Sequence, residues 1–211
     1  MTAFFTHCWQ RLRLKLAAAL ACALLAAALP LSASAQETAA EGVQLRLERS
    51  ADGVLLFANV KVDLPAVVED ALLKGVPLFF VAQAELTRKR WYWSDKTVAS
   101  AQRHMRLAYQ PLTRRWRLNV ASGAITPNSL GLALNLSFET LAEAMAAMQR
   151  LSGWKIAEAG AIDPESPHRL EFRFSLDLTQ LPRPFQIGAL GHSDWNISVS
   201  ATQQLGPEGA K

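Results

Sequence analysis

The fold of this chain is decided by runs of alternating side chains, which read Ala82-Gln83-Ala84-Glu85-Leu86-Thr87, then Met105-Arg106-Leu107-Ala108-Tyr109, then Trp116-Arg117-Leu118-Asn119-Val120. Apolar residues recur at every second position, which is the period of a β-strand. Turn-forming residues separate the runs at 94–95 and 111–113. We therefore predict a three-stranded antiparallel meander with one apolar and one basic face. The alternation slips at residues 88–90, which indicates a bulge in the first strand or a strand that has passed the core edge.

The same stretch is rich in cations. Residues 87–117 contain nine Lys or Arg and a single acid, Asp95, with aromatic residues interleaved. If the protein meets a partner through charge, this segment carries the contact. The candidate residues for binding an anion or a partner are Lys89, Arg90, Trp91, Trp93, Arg106, Arg115 and Arg117. Two alternatives stay open: the cations pair with acids elsewhere in the chain, and the tryptophans, Trp116 included, pack in the core or at a sheet edge.

Further strands are predicted on both sides of the meander. Alternating runs cover 43–48, 54–62, 130–136, 169–178 and 195–201, and Ala51-Asp52-Gly53 is a hairpin turn signal. Prolines 182 and 184 forbid further ladder bonding, so 179–192 is expected to be loop or edge. The fold class that follows is mainly β (α+β), a twisted antiparallel β-sandwich or half-barrel of about eight strands with two covering helices.

The two helices are predicted from apolar stripes at helical spacing. The first spans 65–74, where Pro65 suits the first turn and Gly75 can end the helix. The second spans 138–151, with Ser137 as its cap and a stripe that comprises Phe138, Leu141, Ala142, Met145, Met148 and Leu151. One β-rich domain over residues 43–205 accommodates all of these elements.

The N-terminus reads as a targeting segment. Three basic residues precede an apolar run of 14 residues, and Ala33-Ser34-Ala35 is a signal-peptidase site. We predict a signal peptide over 1–35, cleaved after Ala35, a disordered tether over 36–42 and a disordered tail over 206–211. An uncleaved anchor is the alternative. Cleavage removes both cysteines and leaves 19 Lys or Arg against 18 Asp or Glu, so the mature chain is nearly neutral but polarised.

Catalytic and metal-binding patterns do not emerge from the residues. The mature histidines, His104, His168 and His192, have no second ligand at helical or hairpin spacing. No pair of carboxylates is selected for glycoside hydrolysis, and no nucleophile-elbow string supports a Ser-His-Asp triad. We expect no catalytic residue, no metal and no cofactor.

A resemblance to a known family rests on two strings, Arg106-Leu107-Ala108-Tyr109-Gln110-Pro111-Leu112-Thr113 and Leu176-Asp177-Leu178-Thr179-Gln180-Leu181-Pro182-Arg183-Pro184-Phe185-Gln186. With Ser193-Asp194-Trp195-Asn196, they resemble the DUF4390 family of uncharacterised exported proteobacterial proteins. The resemblance covers nearly the whole mature chain. It implies an envelope protein as partner, with a membrane sensor histidine kinase as one candidate.

These observations lead to one expected function and one alternative. The leading expectation is a non-enzymatic periplasmic binding or adaptor module that works beside a membrane sensor kinase. The alternative is an envelope-surface binder that grips anionic lipid or polysaccharide through the basic aromatic meander over 87–117. A hydrolase is disfavoured because no catalytic constellation emerges. No nucleic-acid partner is expected.

Overall fold

The structure is a computed structural model that describes residues 42–88, 95–123, 133–189 and 192–206. The described residues belong to one compact unit that begins at Glu37. The predicted signal peptide lies outside the described residues, as do nearly all of the tether and of the tail, and the first part of the strand predicted over 130–136. These statements about the termini stay predictions.

Nine strands in the described part form two antiparallel sheets around one core. Their bounds are β1 (Val43–Ser50), β2 (Gly53–Val60), β3 (Leu78–Arg88), β4 (Lys96–Gln110), β5 (Arg115–Ala121), β6 (Leu134–Phe138), β7 (Arg150–Glu158), β8 (His168–Leu176) and β9 (Ser198–Leu205). One sheet has the order β1-β2-β7, and the other has the order β6-β5-β4-β3-β8-β9. The mainly β prediction is confirmed, in the form of a sandwich of two open sheets.

The predicted meander is confirmed and lies within the six-stranded sheet. Leu78 on β3 pairs with Leu107 on β4, and Leu107 pairs with Leu118 on β5. All three are buried, as the alternation requires. β8 pairs with the other side of β3 and contributes the buried Leu170, Phe172, Phe174 and Leu176. The rings of Phe80 and Phe174 stack with centroids 5.6 Å apart.

The described part of the meander has one irregularity, and it lies on the second strand. Leu86 pairs with Ala99, whereas the next residue, Thr87, pairs with Thr97. Val98 is therefore an extra residue on β4, which is the definition of a β-bulge. β3 continues in register with β8 as far as Arg88. The slip predicted at residues 88–90 lies almost wholly outside the described residues, because 89 and 90 are not among them.

The hairpin between β1 and β2 turns where the sequence predicts it, with Ser50 opposite Gly53. Gly53 has a φ of 137°, and a Cβ there would lie 1.9 Å from the carbonyl oxygen of Ala157 on β7. Glycine is required at this position because its φ is positive and the backbone at the end of β7 approaches it closely.

The first helix is confirmed and the second is shorter than predicted. α1 (Ala66–Leu73) buries Val68, Ala71 and Leu72. α2 (Leu141–Gln149) is capped by Thr140, whose hydroxyl accepts a hydrogen bond from the Glu143 N–H at 3.2 Å. The Glu143 carboxylate in turn accepts from the Thr140 N–H at 3.4 Å, which completes a capping box. The predicted helix therefore begins three residues too early: Ser137 and Phe138 belong to β6, Leu151 belongs to β7, and Ala142 is exposed.

Strand β7 has no counterpart in the prediction. Gly153 interrupts it with a φ of 57°, and its pairing with β2 shifts register twice. These irregularities break the alternation from which a strand is predicted.

The connection after β8 is helical, which corrects the expectation of loop or edge over 179–192. Asp177 accepts from the Thr179 N–H at 3.0 Å, and a 3-10 turn over Leu178–Gln180 follows. α3 (Arg183–Ala189) begins just after Pro182. Pro182 and Pro184 are compatible with the start of this helix, because backbone N–H groups in the first turn of a helix have no partner within the helix. The last strand begins at Ser198 and not at Trp195, which is buried in a 3-10 turn over Ser193–Trp195.

Candidate binding face

The outward face of the six-stranded sheet carries the three candidate residues that the structure describes, Arg106, Arg115 and Arg117. Residues that pair directly across an antiparallel sheet point to the same side. Arg106 pairs with Asn119, and Asn119 with Asn135, so these three polar residues form a row across β4, β5 and β6. Arg117 lies two residues before Asn119 on β5 and points to the same side. We call this side of the sheet the outer face, and Arg106 with Arg117 the basic pair.

The basic pair consists of neighbouring cations. Burial lowers the pKa of the Arg106 guanidinium from its ordinary value, and the charge of Arg117 lowers it further. Within the part of the chain that the structure describes, neither arginine forms an ion pair with an acid. The predicted clustering of Arg106 and Arg117 on adjoining strands is therefore present, and no acid offsets it there.

A ladder of amide side chains holds Arg106. Its Nη1 donates to Oδ1 of Asn119 at 3.4 Å, and Nδ2 of Asn119 donates to Oδ1 of Asn135. Nδ2 of Asn135 then donates to the backbone oxygen of Ala133 at 3.0 Å. Asn119 is only 4% exposed. The ladder fixes the guanidinium of Arg106 with neutral groups and leaves its charge uncompensated.

Arg115 is separated from the basic pair by its own acid. Its Nη2 lies 3.3 Å from Oε1 of Glu139, with the two side chains 50% and 76% exposed. An ion pair so open to solvent contributes little to stability. The alternative of internal pairing therefore applies to Arg115.

The structure does not test the position of the other four candidate residues. Lys89, Arg90, Trp91 and Trp93 lie outside the described residues. Arg88, the last described residue before them, pairs with Lys96 and lies 3.4 Å from the carboxylate of Asp163. Arg88 is nine residues along β3 from Phe79, the residue opposite Arg106. That is about 30 Å at the rise of a strand.

Two residues counted with the basic, aromatic segment face inward. The guanidinium of Arg103 lies 5.0 Å from the ring centroid of Trp154 on β7, and burial lowers the pKa of Arg103. This cation–π contact joins the two sheets. Trp116 is 6% exposed and packs with its ring centroid 4.8 Å from that of Tyr109. The alternative that Trp116 belongs to the core is therefore correct.

Strand β8 adds outer-face residues that the meander alone does not predict. Arg169 pairs with Thr87, Glu171 with Glu85 and Arg173 with Gln83. The alternation of β8 assigns these residues to its outward side, but only the pairing with β3 places them beside the meander. A shallow groove of about 410 Å³ runs here over four strands, with polar side chains that include Gln83, Glu85, Gln102, Glu171, Arg173 and Thr202. The facing carboxylates of Glu85 and Glu171 are thus a pair that only the tertiary structure reveals.

No group of three or more His, Cys, Asp or Glu side chains in the described residues is arranged to hold a metal ion. Among the described helices, none has the length and hydropathy that crossing a membrane requires.

Comparison with known proteins gives one match. No curated protein and no solved structure matches the chain significantly. Residues 37–205 match the family described as "Domain of unknown function (DUF4390)". This match covers most of the chain and includes the strings from which the resemblance was inferred, so the chain belongs to the DUF4390 family.

Proposed function

We propose that this chain is a non-enzymatic periplasmic binding or adaptor module that docks an acidic surface of an envelope protein through the basic pair. The observation that carries the proposal is that Arg106 and Arg117 are neighbours without an acid partner among the described residues. Neighbouring like charges destabilise a sheet. A docked anion would turn this repulsion into attraction.

The chemistry of the basic pair favours carboxylates on a protein. Arg106 is partly buried, and its hydrogen bond to Asn119 orients its guanidinium. A planar guanidinium in a fixed orientation suits bidentate contact with an Asp or Glu carboxylate. Binding to a diffuse anionic surface does not need such positioning. The family resemblance makes a membrane sensor histidine kinase the first partner to test.

The test removes the two charges and keeps hydrogen-bonding side chains. The variant with Arg106→Gln and Arg117→Gln is compared with a matched variant, Arg169→Gln with Arg173→Gln, which loses the same charge from the same face. We expect the first variant to bind an envelope partner at least about tenfold more weakly, while the matched variant keeps its affinity. The affinity of the wild-type protein for the partner should decrease as the salt concentration is raised from roughly 50 to 300 mM.

The alternative ligands are distinguished in the same experiment. Vesicles that contain anionic lipid are offered to all three proteins. Binding to vesicles that depends on the basic pair, without binding to any envelope protein, would replace the proposal with the surface-binder alternative. Partner binding that is the same in both variants and at both salt concentrations would exclude an electrostatic role for the basic pair.

Export is part of the proposal and has its own test. The basic residues, apolar run and Ala33-Ser34-Ala35 of the N-terminal segment support secretion followed by cleavage. Mass spectrometry of the periplasmic fraction should find a chain that begins at Gln36. A chain that retains Met1, or carries lipid on Cys22, would contradict cleavage after Ala35.

A further inference from the structure

His168 is a buried histidine whose hydrogen-bonding capacity is not used. It is the first residue of β8 and is 2% exposed. Neither ring nitrogen has a hydrogen-bond partner of acceptable geometry. Buried polar groups are normally hydrogen-bonded, and an unsatisfied one calls for an explanation.

The charged groups around His168 come from several elements that meet at one end of the sandwich. Arg49 is on β1, Arg88 is on β3 opposite His168, and Asp163 is in the connection between β7 and β8. β9 contributes the apolar Leu205 opposite His168. Two cations and one anion therefore act on the ring, and protonation of His168 would add a third cation.

The connection over residues 159–167 closes this end of the sandwich through Asp163. The Asp163 carboxylate lies 3.4 Å from Nη1 of Arg88, accepts from the Ser166 hydroxyl at 2.7 Å and accepts from the Glu165 N–H at 3.1 Å. These hydrogen bonds lower the pKa of Asp163, with that from Ser166 acting most strongly. A cleft of about 390 Å³ lies between the β1–β2 hairpin and this connection, lined by residues that include Arg49, Ile162 and Pro164.

We propose that His168 is an acid-sensitive latch, which holds the 159–167 connection closed while the imidazole is neutral and releases it when the imidazole is protonated. A neutral ring fits the apolar end of the core. A charged ring must either leave the core or compete with Arg88 for Asp163. Both responses loosen the connection that Asp163 ties to β3.

The direction of the pH dependence follows from the environment of the ring. Burial is the main cause that lowers the pKa of His168 below its ordinary value, and the charges of Arg49 and Arg88 lower it further. The Asp163 carboxylate and the nearby backbone of Ser166 act in the opposite direction. Because the unfolded chain takes up a proton near pH 6.5 and the folded chain only at lower pH, stability is lost as pH falls below about 6.5.

The experiment measures local opening at two pH values. Hydrogen exchange of the amides in 159–167, corrected for the intrinsic effect of pH, is compared at pH 7.5 and pH 5.0. The proteins are wild type, His168→Leu, and the control His192→Leu at an exposed histidine. We expect protection in this connection to fall severalfold on acidification in wild type and in the control, and to stay constant in His168→Leu. Equal loss in all three proteins would overturn the latch, as would loss that is spread evenly over both sheets.

A second measurement stands even if the His168→Leu variant fails to fold. The ring resonances of His168 in the wild-type protein are titrated by NMR, and the midpoint is compared with the ordinary value of about 6.5 for histidine. The latch requires His168 to titrate below this value, together with chemical-shift changes at Asp163 and Ser166. Titration of His168 at or above this value would overturn the proposal.

Discussion

Asn119 and His168 are the two polar side chains buried in the described part of the chain, and they are buried in opposite ways. Asn119, on the outer face, is hydrogen-bonded on both sides, to Arg106 and to Asn135. His168, at the end of the core, has no hydrogen-bond partner of acceptable geometry for either ring nitrogen. The first residue builds a polar row, and the second leaves a titratable group in an environment that favours its neutral form.

This difference separates a structural polar group from a responsive one. Removing a satisfied group leaves its partners unsatisfied, which costs more than the bond itself. Replacing an unsatisfied group with an apolar one of similar shape costs little. Asn119 and His168 are buried to a similar degree, but their replacement should change the free energy of unfolding by different amounts.

The largest effect should come from an apolar residue buried to the same degree, which sets the scale for both polar sites. Phe172 is 1% exposed, and truncation to Ala should lower the free energy of unfolding by about 3–5 kcal/mol. Arg173 is the next residue and is exposed on the opposite side of β8. Its truncation to Ala should lower the free energy of unfolding by under about 0.5 kcal/mol. Urea unfolding measures both, and similar losses would mean that the assignment of buried and exposed faces on β8 is wrong.

The next effect should separate Asn119 from His168. Asn119→Ala should lower the free energy of unfolding by about 1–3 kcal/mol, because Arg106 and Asn135 both lose their partner. His168→Leu at pH 7.5 should leave the unfolding free energy within about 1 kcal/mol of wild type or raise it. Asn59→Ala, at an exposed strand position, is the control and should change it by under about 0.5 kcal/mol. A larger loss for His168→Leu than for Asn119→Ala would reverse the comparison.

The smallest effect should come from Arg115, the one candidate arginine with an acid partner among the described residues. Arg115→Ala removes the exposed ion pair with Glu139 and should cost roughly 0.2–0.5 kcal/mol, falling at high salt. Glu139→Ala should cost a similar amount. A loss above about 1 kcal/mol in either variant would show that Arg115 supports the outer face as Asn119 does.

Much of the fold could be predicted because two local signals are strong. Period-two alternation identifies the meander and β8, where side chains on one side are buried and those on the other are not. The apolar stripe identifies α1, although for α2 the capping box at Thr140 overrides the longer stripe. β7 escapes prediction because Gly153 and two register shifts break the alternation.

The candidate site was harder to predict, because the order of charged residues in the sequence does not give the distances between their side chains in the fold. Residues 87–117 contain the cations of the meander, but those that the structure describes do not form one patch. Arg88 is the last residue of β3, whereas Arg106 on β4 lies opposite Phe79 near the beginning of β3. Arg103 turns inward onto Trp154, and Arg115 pairs with Glu139. Alternation correctly assigned Arg106 and Arg117 to the outward side, and their adjacency depends on the register between β4 and β5.

Local sequence patterns therefore identify which side chains are buried in the regular strands, where the hairpin turns lie and which family the chain resembles. These properties depend on neighbours along the chain and on the two-residue period of a strand. That β8 lies beside β3, which brings Glu171 opposite Glu85 and Arg173 beside the meander, follows from the tertiary structure alone. The tertiary structure also determines that His168 is buried among Arg49, Arg88 and Asp163. Such contacts join residues far apart in sequence, and they form only when strands pair and both sheets enclose one core.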